Sequence, residues 1–303
     1  MKINFELLKE RVVDCLLHTD LEYVRNELNG LKDPTIFSGV GGSGVVSEFG
    51  AKVINKKNGI VSVNSEPRDF VYRSNVGFKN VVACSYSGNN YGVKLSFLNE
   101  LKKYLLSNNS YDDKSVTYLK YNTTIAKENS FISLGASLVP VSILMDYYLD
   151  GDNGIFLDCI TEKEFDFDVR NNVYEIFSGY DTSVSAKYLE STMVEAGLGI
   201  PIVHDKYSYC HGRSTINTIY KSSVIYFNRN TEFDKMLLEK LKSNYDDVII
   251  IDSMYEDQIL DDYQMLVQCM YLTKYISDKK GKDLSNVKYS PVVKKLYKYS
   301  GEI

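Results

Sequence analysis

The 303-residue sequence predicts an α/β fold in which a doubly wound unit, a mostly parallel sheet with helices on both faces, is built twice. Three observations predict it. Short β-branched runs alternate with stretches of helical periodicity along nearly the whole chain. Glycines cluster where the first of these runs meets a helical pattern, in TIFSGVGGSGV (35–45). The octapeptide IFSGVGGS (36–43) returns almost intact as IFSGYDTS (176–183).

A leading helix is predicted over 5–28, because Leu8, Val12, Leu16, Leu17, Leu21, Val24 and Leu28 recur near the 3.6 period and Asn29-Gly30 then stops it. Strands follow at 35–39, 60–65, 80–88 and 115–122, with helical patterns between most of them, notably 90–107 and 137–150. The segment DGDNG (150–154) and the polar run TEKEFDFDVRNN (161–172) interrupt this order. They place the domain junction at 152/153, giving a first domain over 1–152 and a second over 153–303. The alternation resumes with strands at 173–179, 199–205, 222–228 and 246–252 and helices near 181–196, 231–244 and 255–279.

Composition bounds the function classes. With 44% hydrophobic and 25% charged residues the chain can bury a substantial core. A net charge of -5 lacks the basic footprint of a nucleic-acid binder. No run reaches the roughly 18 apolar residues of a membrane span, and the start MKINFELLKER lacks an apolar leader segment. Five scattered cysteines without a C-x-x-C pair suggest reduced thiols and a cytoplasmic location. Three dispersed histidines offer no metal-ligand cluster, so no metal is expected. The 25 tyrosines are spread over both halves and read as packing residues.

Gly39, Gly41 and Gly44 have the G-x-G-x-x-G spacing of a dinucleotide turn, and Glu66 stands near the end of the second strand, where such a site takes the ribose hydroxyls. The alternatives are a ligand-free turn and a seat for a different phosphate. At the end of the third strand SYSGNN (85–90) places two hydroxyls, a glycine and a helix start together, which suits a phosphate monoester. The dinucleotide fingerprint calls for nothing of the kind.

The pairing of GGSG with SYSGN resembles the SIS (sugar isomerase) phosphosugar-binding domain. The likeness extends over nearly the whole chain as a tandem of two such domains. It is nearest to the bifunctional phosphoglucose/phosphomannose isomerases and the isomerase half of glucosamine-6-phosphate synthase. It implies that Gly41, Gly42, Ser43, Ser85, Ser87 and Asn90 hold the phosphate, Asn90 standing where the family usually has Thr. In STMVEAGLGIPIVHDKYSYCHGRST (191–215), Glu195 and His211 keep the family's separation between its catalytic carboxylate and its histidine. A carboxylate above two adjacent carbons can carry the proton of an aldose-ketose conversion through an enediol, and a histidine can protonate the ring oxygen. His18 and His204 lack such a context and read as structural.

The resemblance further implies an obligate homodimer whose composite sites take the histidine from the neighbouring subunit, no cofactor, and a lysine near the C-terminus. Lys295 and Lys294 are favoured for that lysine over Lys298. Two departures from the family pattern stand out. Arg213 replaces a common Pro, as an added charge near the ligand or as half of an ion pair. Val141 follows Pro140 where the phosphoglucose/phosphomannose isomerases have Arg. The expected function is therefore a phosphosugar aldose-ketose isomerase, or an amino-sugar or fructosamine-phosphate deglycase. The alternative is a non-catalytic sugar-phosphate sensor.

Overall fold

The computed structural model describes residues 5–72, 76–109, 111–126, 128, 132–219 and 221–288. The chain divides into two compact units, with the main break after Leu157. In the first unit a short 3-10 turn leads into α1 (Leu8–His18) and α2 (Leu21–Asn29), followed by β1 (Thr35–Ser38), α3 (Gly42–Asn58), β2 (Ser62–Ser65) and α4 (Asp69–Tyr72). Next come β3 (Asn80–Cys84), α5 (Tyr91–Ser96), β4 (Lys102–Ser107), β5 (Val116–Lys120), α6 (Leu134–Tyr148) and α7 (Asn153–Asp158), at whose last turn the division falls. The second unit holds β6 (Val173–Ser178), α8 (Ser183–Glu195), β7 (Ile200–Asp205), α9 (Lys206–Tyr209), β8 (Ser223–Asn228), α10 (Glu232–Asn244), β9 (Val248–Asp252) and α11 (Gln258–Lys279).

Both sheets are entirely parallel among the described residues, in the orders β2-β1-β3-β4-β5 and β7-β6-β8-β9. In each, the unit's first strand lies between its second and third, so each has a switch point beside that strand, where ligands of open α/β sheets bind. The repeated Ile-Phe-Ser occupies this strand twice, as Ile36-Phe37-Ser38 in β1 and Ile176-Phe177-Ser178 in β6. The apolar strands β1, β3 and β8 are buried along their full length, as parallel strands covered on both faces require. Gly50 of α3 lets Phe37 of β1 pack directly beneath the helix, since a Cβ there would stand 2.4 Å from its ring. Helix α6 is apolar all round because α1, α2 and α3 enclose it.

Two helical expectations are corrected. The leading helix is two helices, because Asp20 interrupts it and its carboxylate accepts the Tyr23 N–H at 3.0 Å as the cap of α2. The stretch 90–107 is not one helix. Helix α5 ends at Ser96, and 102–107 is strand β4, whose apolar Tyr104, Leu105 and Leu106 complete the sheet between β3 and β5. The short α4, α7 and α9 were not foreseen from the sequence.

Candidate functional site in the first unit and catalytic candidates in the second

The glycine turn after β1 is shaped by close approach. A Cβ on Gly39 would stand 2.2 Å from the Ser43 carbonyl oxygen, and Gly41 has φ 58°, a conformation that favours glycine. A Cβ on Gly42 would meet the Ser137 hydroxyl at 2.7 Å. The turn closes itself with Ser43 N–H to Val40 C=O at 3.1 Å and Gly44 N–H to Gly41 C=O at 2.8 Å. No side chain caps α3, a 17-residue helix, so the positive end of its dipole is left open. Ser137, a buried hydroxyl in the first turn of α6, stands over this end. The sequence reading missed it, although a serine inside the apolar run LGASLVPV was a signal.

The loop after β3 forms the facing wall. The Ser85 side chain is only 3% exposed, and its Oγ accepts both the Gly88 N–H and the Asn90 Nδ2–H at 3.1 Å. Asn90 Oδ1 accepts the Val93 N–H at 3.0 Å and caps α5. Gly88 has φ 72° and lies against Ser107, where a Cβ would come within 2.8 Å of its hydroxyl. Ser85, Gly88 and Asn90 are thus brought together as the frame of the loop. The half-buried Ser87 contributes its carbonyl to Asn109 Nδ2–H at 3.3 Å, and its hydroxyl has no partner among the described residues. A hollow of about 180 Å³ lies at the switch point between the tips of β1 and β3, bordered by Ser38, Gly39, Val40, Pro67, Asn90 and Ser96. Ser43, Ser85 and Ser87 do not line it. Glu66 is exposed just past β2.

In the second unit, Glu195 is the last residue of α8 and is half-buried, its Oε1 accepting the Ser191 hydroxyl at 3.0 Å. Burial raises its carboxyl above the ordinary glutamate value, and the Ser191 hydrogen bond opposes that rise. His211 is exposed in the turn after α9, its N–H donating to the Ser208 C=O at 3.0 Å, and Gly212 follows with φ 108°. No contact joins Glu195 to His211 among the described residues. Arg213 is exposed and makes no ion pair among the described residues, so its reading as half of a salt bridge gains no support. Lys294, Lys295 and Lys298 lie outside the described residues.

His204 is fully buried, 3.2 Å from Glu175 Oε2 and packed on the Phe177 and Tyr209 rings. His18, exposed at the end of α1, bonds the Asp14 carbonyl through Nδ1 at 2.8 Å. Val141 is 0% exposed inside α6, so the position of the family's arginine is here part of the core. Among the described residues no three His, Cys, Asp or Glu side chains are grouped to hold a metal ion, and no helix is long and apolar enough to cross a membrane.

No family model matches the sequence, and no curated protein does. Solved structures do share its fold. A candidate phosphosugar isomerase from Clostridium difficile 630 superposes with a TM-score of 0.75 at 14% identity, covering 96% of both chains. Tagatose-6-phosphate ketose/aldose isomerase from Escherichia coli gives 0.71 at 12% identity over 95% of both chains. The C-terminal domain of glucosamine-fructose-6-phosphate aminotransferase from Francisella tularensis gives 0.68 at 12% identity, over 93% of this chain and 96% of that one. The two parallel sheets fit two SIS-like domains, and the fold is that of phosphosugar isomerases.

Proposed function

We propose that this chain binds a phosphorylated sugar and isomerises it between aldose and ketose. The observation that carries the reading is the uncapped start of α3, with the Ser43 and Ser137 hydroxyls beside it and the Ser85–Asn90 loop at the neighbouring strand tip. Donors gathered at the switch point of a parallel sheet suit a phosphate monoester. Gly41, Gly42, Ser43, Ser87 and the remaining N–H of Asn90 hold its oxygens, while Ser85 fixes the loop and offers its own O–H. Residues 1–152 form the phosphate-binding half and residues 153–303 the half that carries the catalytic groups.

Glu195 takes the proton from C2 of the aldose. The C2–H electrons form the enediol double bond as the carbonyl oxygen is protonated, and return of the proton to C1 with loss of the O2 proton gives the ketose. A carboxyl raised by burial is a better proton carrier near neutral pH than an exposed one. His211, supplied by a second copy of the chain in a homodimer, protonates the ring oxygen during opening. Lys295 or Lys294 stabilises the oxyanion, and Arg213 adds charge near the ligand. No metal and no redox cofactor takes part in this route, and a deglycase reaction would begin with the same proton transfer.

The full burial of Val141 favours a second reading, a sensor that binds the sugar phosphate without turnover, since the family's arginine position carries no charge here. Thermal-shift and calorimetric titration against hexose, hexosamine and pentose phosphates tests the shared part, and a flat panel refutes both readings. Turnover of the phosphate that binds then separates them. Bound ligand with no product marks the sensor.

A further inference from the structure

The turn Gly179–Thr182 after β6 is the counterpart of Gly39–Gly42 after β1, by the repeated Ile-Phe-Ser and by the matching strand order. The two helix starts differ. In the first unit no side chain caps α3. In the second unit the start of α8 already holds an anion. Asp262, 1% exposed on α11, accepts the Val184 N–H at 3.3 Å, the Ser185 N–H at 3.1 Å and the Ser185 hydroxyl at 2.6 Å. Two backbone amides and a serine hydroxyl around two carboxylate oxygens is the donor set that a bound phosphate would otherwise satisfy.

The second wall is filled as well. Arg229 directly follows β8, the counterpart of β3, so it occupies the place of the Ser85–Asn90 loop. Its Nη1 pairs with the Asp261 carboxylate and its Nε lies 3.3 Å from Asp181 Oδ2, within the first turn. Asp261 also accepts the Met254 and Tyr255 N–H groups, at 2.8 and 3.0 Å. An external phosphate would have to displace one buried carboxylate from its donors and approach two others.

We propose that Asp262 is an internal stand-in for phosphate, so that the second copy of the duplicated seat is closed by the chain's own carboxylate. Each chain consequently takes one phosphate. That count rests on the seat proposed for the first unit, whereas the closure of the second does not.

The test is backbone amide NMR of the full chain titrated with inorganic phosphate. In the wild type the Val184 and Ser185 amides stay unmoved while Gly42 and Ser43 respond. Saturable movement of Val184 and Ser185 overturns the closure. Silence at Gly42 and Ser43 alone sinks the first-unit seat and leaves the closure standing. Asp262→Ser vacates the amides, so phosphate then shifts Val184 and Ser185 and raises Tm by about 2–4 °C at ten times the dissociation constant. A folded Asp262→Ser protein whose Val184 and Ser185 ignore phosphate refutes the stand-in. If this variant is unfolded in chloride, recovery of the fold on adding phosphate or sulfate supports it, and failure in both refutes it.

Discussion

The tips of β1 and β6 began as the same short sequence and now do opposite things. Beneath both, Ile-Phe-Ser sits in the strand flanked by two parallel neighbours, and any change there would cost core packing on two faces. Beyond the serine nothing enforces likeness. The first turn keeps glycines and an uncapped α3, and the second replaces them with Tyr180, Asp181 and Thr182 and has α8 capped by Asp262. Duplication preserves what the sheet needs and releases what the strand tips do. One tip is free for a ligand and the other is committed to stability.

The sharpest way to break this division of labour is at the catalytic candidate of the second unit. Glu195→Gln should lower turnover by roughly 10²- to 10⁴-fold with ligand affinity nearly kept, measured by steady-state kinetics and calorimetry. Unchanged turnover would remove Glu195 from the chemistry. The same variant reports on burial. Because the folded carboxyl is raised, it favours folding below its unfolded value, and that contribution is lost as pH rises through the folded value. At pH 7 the glutamine variant should therefore be at least as stable as the wild type.

Within the first unit the two serines should separate. Ser43→Ala should weaken phosphate binding about 10- to 100-fold, the worth of a charge-assisted hydrogen bond, with Tm unchanged. Ser85→Ala should weaken binding and also lower Tm, because its Oγ holds Gly88 and Asn90. Equal Tm for both variants would contradict the framing role of Ser85.

Asp262→Asn should cost about 1–3 kcal/mol in urea unfolding, since two α8 amides and a buried hydroxyl lose a charged acceptor. The counterpart in the first unit is milder. Asp14 accepts from the Thr123 and Thr124 hydroxyls and from the Thr124 and Ile125 amides. Burial alone would raise this carboxyl, but those hydrogen bonds together bring it down to about 2. Its stabilisation is present above pH 3.8 and fades as pH falls through about 2. Asp14→Asn should lose about 1 kcal/mol at pH 7, with the gap to the wild type closing in acid. A pH-independent gap would disprove the charge's part.

Much of the fold was legible because buried parallel strands are short continuous apolar runs and glycine turns mark their ends. The stretch 90–107 was misread for a local reason. Val93, Phe97, Leu101 and Leu105 recur at four-residue spacing, and only pairing with β3 and β5 makes 102–107 extended. The site candidates were legible by type and not by duty. Nothing in SYSGNN says that Ser85 and Asn90 spend hydrogen bonds on one another, and nothing near Gly42 in the sequence points to Ser137.

Taken alone, the sequence determined the alternation of strands and helices, the repeated strand at the heart of each unit and the glycines that let β1 turn into α3, because these depend on periodicity and on backbone freedom over a few residues. The tertiary structure decided which helix start stays open. Asp262 is 77 positions from Ser185, and a carboxylate meets amides at that separation only once α11 has packed against α8.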